Sequence, residues 1–138
     1  MVRRTPLLAA LLILGSVAAA GDAARNRVPV EPLFERLGGT ARVAAFVDAT
    51  VDELAADPQG GSVREGLDLQ AVKADLVARI CALSGGGCRY RQKAAALQTS
   101  AGLVEVLRVA MRAHGVPLAA RNELLETLAT TRRDVARL

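Results

Sequence analysis

Tryptophan is absent from this chain, and Phe34, Phe46 and Tyr90 are its whole aromatic complement, 2% of 138 residues. So little aromatic surface argues against a large aromatic-lined cofactor pocket. It leaves the core volume to Leu, Val and Ala, which suits helices packed closely through small side chains. Histidine occurs once, at His114, and cysteine twice, at Cys81 and Cys88. Two thiols without a neighbouring His or further Cys make an incomplete zinc set. A lone histidine also removes the usual partner for paired-carboxylate or nucleophilic catalysis. No nucleophile elbow, Walker loop or metal motif occurs. No alternating apolar–polar run of useful length occurs either, so the chain reads as all-α.

A run long enough to cross a bilayer, about 20 apolar residues, is missing too. Met1-Val2-Arg3-Arg4 is a basic start, Leu7–Leu14 a short apolar stretch, and Val17-Ala18-Ala19-Ala20-Gly21 a string of small residues. Those are the three parts of a secretory signal. Cleavage is expected after Ala20, with Ala23 as a second candidate; the alternative is an uncleaved anchor. No cysteine follows the run, so no lipid-modified cysteine is indicated. The expected organisation is a signal peptide over 1–20, a mobile arm over 21–31, and one domain over 32–138. The expected location is the periplasm or the medium, with no stable membrane span after cleavage.

Removing residues 1–20 takes away Arg3 and Arg4, so the formal charge of +4 falls to +2. A balance that small, spread over helices, does not argue for nucleic acid, and no nucleic-acid partner is expected. Two cysteines in an exported chain are most simply a disulfide. Closing a loop of about 8 residues is worth about 2.5 kcal/mol in the chain-entropy model, and Gly85–Gly87 let the chain turn back tightly enough for the sulfurs to meet.

Arg25–Pro32 has no period. Leu33–Leu37 reads as one or two helical turns stopped by Gly38-Gly39, with Thr40 as a cap for the next helix. That helix carries Val43, Phe46, Val47, Thr50, Val51 and Leu54 at helical spacing and runs to about Ala56. Asp57–Ser62 is a loop by composition. Asp68 reads as the cap of a helix bearing Leu69, Val72, Leu76 and Ile80. Lys93–Leu97 can form a short helical piece, which Thr99–Gly102 weakens. Leu103, Leu107, Ala110, Met111 and His114 form the next stripe, stopped by Gly115. Pro117 fits the first turn of a last helix lined by Leu118, Leu125, Leu128 and Val135. Arg132, Arg133 and Arg137 suit its C-terminal end through the dipole.

Four segments in this order resemble the group 1 truncated haemoglobins. They are Leu33–Gly39, Val51–Pro58, Ile80–Tyr90 with its cysteine–glycine pattern, and His114–Pro117 continuing through Asn122–Leu125 to Arg132–Val135. Together they span nearly all of residues 33–135. The resemblance implies a truncated globin-like two-over-two helical sandwich that holds haem and binds oxygen or nitric oxide.

Carried over residue by residue, the resemblance places Gln98 where that family has its proximal histidine. An amide oxygen is a hard, weak substitute for imidazole on haem iron. Val51 falls at the distal position usually held by tyrosine. Val63 or Arg64 falls where phenylalanine packs on the porphyrin, and Asp75 or Leu76 falls in the distal ligand region. Roughly two helical turns, about 7 residues, are missing between Leu103 and the following helix. These departures imply that the haem has been lost.

His114 reads as a helix-end histidine favoured by the dipole, and Met111 as core. Asp48, Asp52 and Glu53 read as a solvated face. Two functions compete: a haem-free globin remnant serving as an exported interaction or structural module, and a haem-based binder of a diatomic gas with an unconventional iron ligand. No enzymatic role is expected on either. An unrelated helical bundle is the third possibility.

Overall fold

The computed structural model describes residues 30–57, 66–91, 97 and 100–135, with side chains of the last helix described through residue 131. Among the described residues, five helices belong to one compact unit, Glu31–Leu138: α1 (Leu33–Arg36), α2 (Gly39–Ala56), α3 (Leu69–Leu83), α4 (Ala101–Ala113) and α5 (Leu118–Val135). No strand occurs among the described residues.

α2 is the centre of the unit. Its stripe of Val43, Phe46, Val47, Thr50, Val51 and Leu54 is buried from end to end, as the spacing predicts. It packs against both α3 and α4; α5 lies against α4 and also touches α1 and α3. The helix pairs α2/α3 and α4/α5 are thus the two layers of the sandwich. Their shared interior is filled by Phe46, Leu76, Ile80, Leu103, Leu107, Met111, Leu124 and Leu128. Thr50 is the polar residue inside α2, and its hydroxyl donates to the Phe46 carbonyl at 2.7 Å, so its burial leaves nothing unpaired.

Helix ends explain where the sequence was misread. Thr40 caps nothing: α2 already starts at Gly39, and Gly38 holds the N-cap position at φ +104°. Arg42 lies across Gly38 so closely that a Cβ there would fall 2.5 Å from its Cδ. Asp68 caps α3 as expected, accepting from the amides of Gln70 and Ala71 at 3.0 and 3.3 Å. The short helical piece expected over Lys93–Leu97 lies, but for Leu97, outside the described residues, and the next helix starts at Ala101. Ser100 accepts from the Leu103 amide at 3.1 Å, and α4 runs unbroken from Ala101 through Leu103 to Ala113. No connecting turns separate Leu103 from a later helix, because Leu103 already belongs to it.

α5 begins just after Pro117, whose carbonyl accepts from the Arg121 amide at 3.0 Å. Leu118 does not line the core; it is 63% exposed. The buried position at this corner goes to Val116, whose amide bonds to the Met111 carbonyl. The inner face of α5 is Ala120, Leu124, Leu125 and Leu128. The side chains of Arg132, Arg133, Val135 and Arg137 lie outside the described residues.

Candidate functional site

The site begins with α3, which has two working faces. One carries Val72, Leu76 and Ile80 into the core at four-residue intervals. The other carries Asp75 and Arg79, also four apart and so one above the other on the helix surface. α3 ends at Ser84, whose amide bonds to the Ile80 carbonyl at 2.9 Å and whose hydroxyl donates to the same carbonyl. The Gly86 amide then bonds to the Cys81 carbonyl at 2.8 Å, turning the chain back. Gly86 is required there by contact. A Cβ would lie 2.6 Å from Cys81 Sγ and 2.8 Å from Phe34 Cγ. The Phe34 amide also bonds to the Ser84 carbonyl at 2.9 Å, so α1 closes over this turn.

Cys81 and Cys88 form a disulfide, with Cα atoms 5.6 Å apart. Cys81 is buried and Cys88 exposed. The returning chain then meets the second face of α3 twice. The Tyr90 hydroxyl donates to Asp75 Oδ2 at 3.1 Å, and Arg79 donates to the Leu97 carbonyl at 3.2 Å. Leu97 itself is buried against the core. Burial pushes the Tyr90 hydroxyl above its ordinary pKa. The Asp75 carboxylate adds to this by its charge and its hydrogen bond, and Arg79 offsets part of it. Disulfide, phenol–carboxylate bond and guanidinium–carbonyl bond thus fasten the chain after α3 back onto α3.

Among the other residues singled out from sequence, Val51 is wholly buried in the α2 stripe. Leu76 is core, and Asp75 is the acceptor for Tyr90. Gln98, Val63 and Arg64 lie outside the described residues. His114 is the exposed C-cap of α4, and Met111 is packed in the core. Asp48 and Asp52 are exposed, but they are more than a solvated face. Both hold Lys73 Nζ of α3, at 2.6 and 2.7 Å. Those two hydrogen bonds, Asp48 first, raise the Lys73 pKa against the opposing effect of burial. The four-residue spacing of the two aspartates was visible; their partner, on another helix, was not.

With this geometry, the chain is similar to solved truncated hemoglobins. The Fe(III) form of the Tetrahymena pyriformis protein aligns at TM-score 0.65 and 21% identity, over 75% of this chain and 97% of that one. Two glutamine-to-glutamate mutants of the same protein align over the same shares, at TM-scores of 0.65 and 0.64 and identities of 21% and 22%. No protein-family model matches the sequence, and no curated protein matches it. The likeness establishes the fold: this is an all-α, truncated-globin-like chain.

Haem is what the resemblance in the sequence implies. Haem needs a donor for its iron. The bonds Tyr90–Asp75 and Arg79–Leu97 run across the second face of α3. Among the described donors, both cysteine sulfurs are joined to each other, Met111 is enclosed in the core and His114 faces solvent. No group of three or more His, Cys, Asp or Glu placed to hold a metal occurs among the described residues. Gln98, where the resemblance puts the iron's ligand, lies outside the described residues.

Proposed function

We propose that this chain is an exported, haem-free member of the truncated-globin fold that works as an interaction or structural module, without enzymatic activity. The observation that carries this reading is the Arg79–Leu97 bond, which ties the residue just before Gln98 to the helix a porphyrin would have to separate from it. The reading is supported by Gln98, since an amide is a poor substitute for the iron's imidazole. It is also supported by an interior filled with Leu, Val, Ile and Met. Export rests on the three-part pattern over residues 1–20, with cleavage after Ala20 and a destination in the periplasm or medium. No helix among the described residues is long and apolar enough to cross a membrane.

The competing reading, a haem globin that binds oxygen or nitric oxide through an unconventional ligand, is favoured by the likeness to truncated hemoglobins in the Fe(III) form. Titrating the purified chain with haem separates the two. The proposed reading expects a colourless protein, no saturable absorption band near the blue edge of the visible spectrum, and no rise in Tm with haem. A stoichiometric band with a matching rise in Tm would overturn it. Export is tested separately, by the N-terminal residue of the protein recovered outside the cytoplasm.

A further inference from the structure

The outer face of α4 is apolar where it borders α2. An open groove of about 390 Å³ runs between the two helices, lined by Ala49 and Glu53 of α2 and by Glu105, Val106, Val109, Ala110 and Ala113 of α4. Val109 stands at its edge and is 60% exposed. Small residues form the groove and a branched apolar side chain stands beside it, so one surface offers both knob and hole. Charges follow a matching order. Glu105 precedes Val109 and Arg112 follows it, both exposed, and Glu105 is paired within the helix to Arg108 at 2.8 Å.

We propose that this face is a self-complementary docking surface whose occupant is a second copy of the chain, with the two α4 helices antiparallel and crossing at Val109. The register follows from helix geometry, about 100° and 1.5 Å per residue. About Val109, Glu105 and Arg112 lie on one flank of the helix, and Val106 and Ala113 on the other. A two-fold axis through the crossing brings residue 105 of one copy level with residue 112 of the other, within about 1.5 Å along the axis. It likewise brings Val106 level with Ala113. One flank then carries two Glu105–Arg112 pairs between copies, the other sets Val106 and Ala113 together beside Glu53 of α2, and the two Val109 side chains meet at the crossing. A parallel pairing would set the charged flank of one copy against the apolar flank of the other. Such an isologous contact closes at two copies. One helix per copy puts it at the small end of specific interfaces, under about 1,200 Å², so the dimer is weak and concentration-dependent. The inference is independent of haem: it stands or falls whichever reading of the globin fold is correct.

Sedimentation of the purified chain over a concentration series tests it. A monomer–dimer equilibrium weakened by salt is expected. Val109→Arg, at an exposed site, should abolish it with the helical circular dichroism unchanged. Glu105→Arg alone and Arg112→Glu alone should each weaken it by roughly tenfold or more, by setting like charges together twice per dimer. The double variant should recover it. A chain that stays monomeric at every concentration, whether or not another peptide covers this face, overturns the proposal. So does a dimer indifferent to Val109→Arg, or a double variant no better than the single ones.

Discussion

Arg79 and Leu97, eighteen residues apart, are joined by a 3.2 Å hydrogen bond from guanidinium to carbonyl. The bond is partly buried, and a charged donor strengthens it relative to a neutral one. It converts a face of α3 that could border a pocket into a surface the chain covers with itself.

Arg79→Met should therefore cost about 1.5–3 kcal/mol, the usual range for a hydrogen bond to a charged group, read from urea unfolding. It should also speed hydrogen exchange around Leu97 more than in α2. A second expectation concerns iron. Gln98→His alone should leave the chain without a haem absorption band, because restoring the ligand does not lengthen the tie next to it. A band from that single change would count against the closure described above.

The Tyr90 phenol gives a pH signature. Its pKa is raised in the folded chain, so its contribution to stability is complete below the ordinary value near 10. It is lost as pH rises through the folded value. Lys73, also raised, acts with the same sign. Tyr90→Phe should lower neutral-pH stability by about 1 kcal/mol and flatten the alkaline fall that Lys73 leaves behind. Tyr90 is the only tyrosine, so ultraviolet titration of its phenolate reads it directly. A phenolate appearing below the pKa of free tyrosine would contradict the Asp75 contact.

Reduction of Cys81–Cys88 should cost about 2.5 kcal/mol by the chain-entropy model. The loss should not be uniform. Tyr90 sits two residues past Cys88, so its bond to Asp75 should weaken before α2 does. Residue-resolved hydrogen exchange with and without reductant would show this order; a uniform loss of protection would refute it.

Gly86 and Gly87 should respond differently to alanine. At Gly86 the new Cβ meets Cys81 Sγ and Phe34 Cγ at 2.6 and 2.8 Å, an overpacking of about 1–3 kcal/mol. At Gly87 nothing lies within 4 Å, but φ is +78°, so the cost is backbone strain of about 1–2 kcal/mol. Thermal unfolding of the oxidised variants measures both. Only Gly86→Ala should also slow disulfide formation, since it crowds the sulfur.

How much of this was legible in the sequence depended on distance along the chain. The six buried residues of α2 could be read because periodicity is a local property, as could the Asp68 cap and the Gly85–Gly87 turn. The Ser100 cap was not legible, because serine beside threonine and glycine suits a loop as well as a helix start; the amide it caps decides between them. Leu118 was misread because apolar identity does not say whether a first turn reaches past its neighbours. Lys73 between Asp48 and Asp52, and Arg79 on Leu97, join separate elements. Only the packing of α2 on α3, and the return of the chain after Cys88, brings them together.

The bond from the Phe34 amide to the Ser84 carbonyl spans fifty residues. Its acceptor lies in a corner built by the far end of α3, so the opening turn has no seat until that corner exists. Chains are synthesised from the N-terminus, and bringing such distant residues together has an entropy cost that nearer contacts do not. The first helix among the described residues is therefore among the last able to settle.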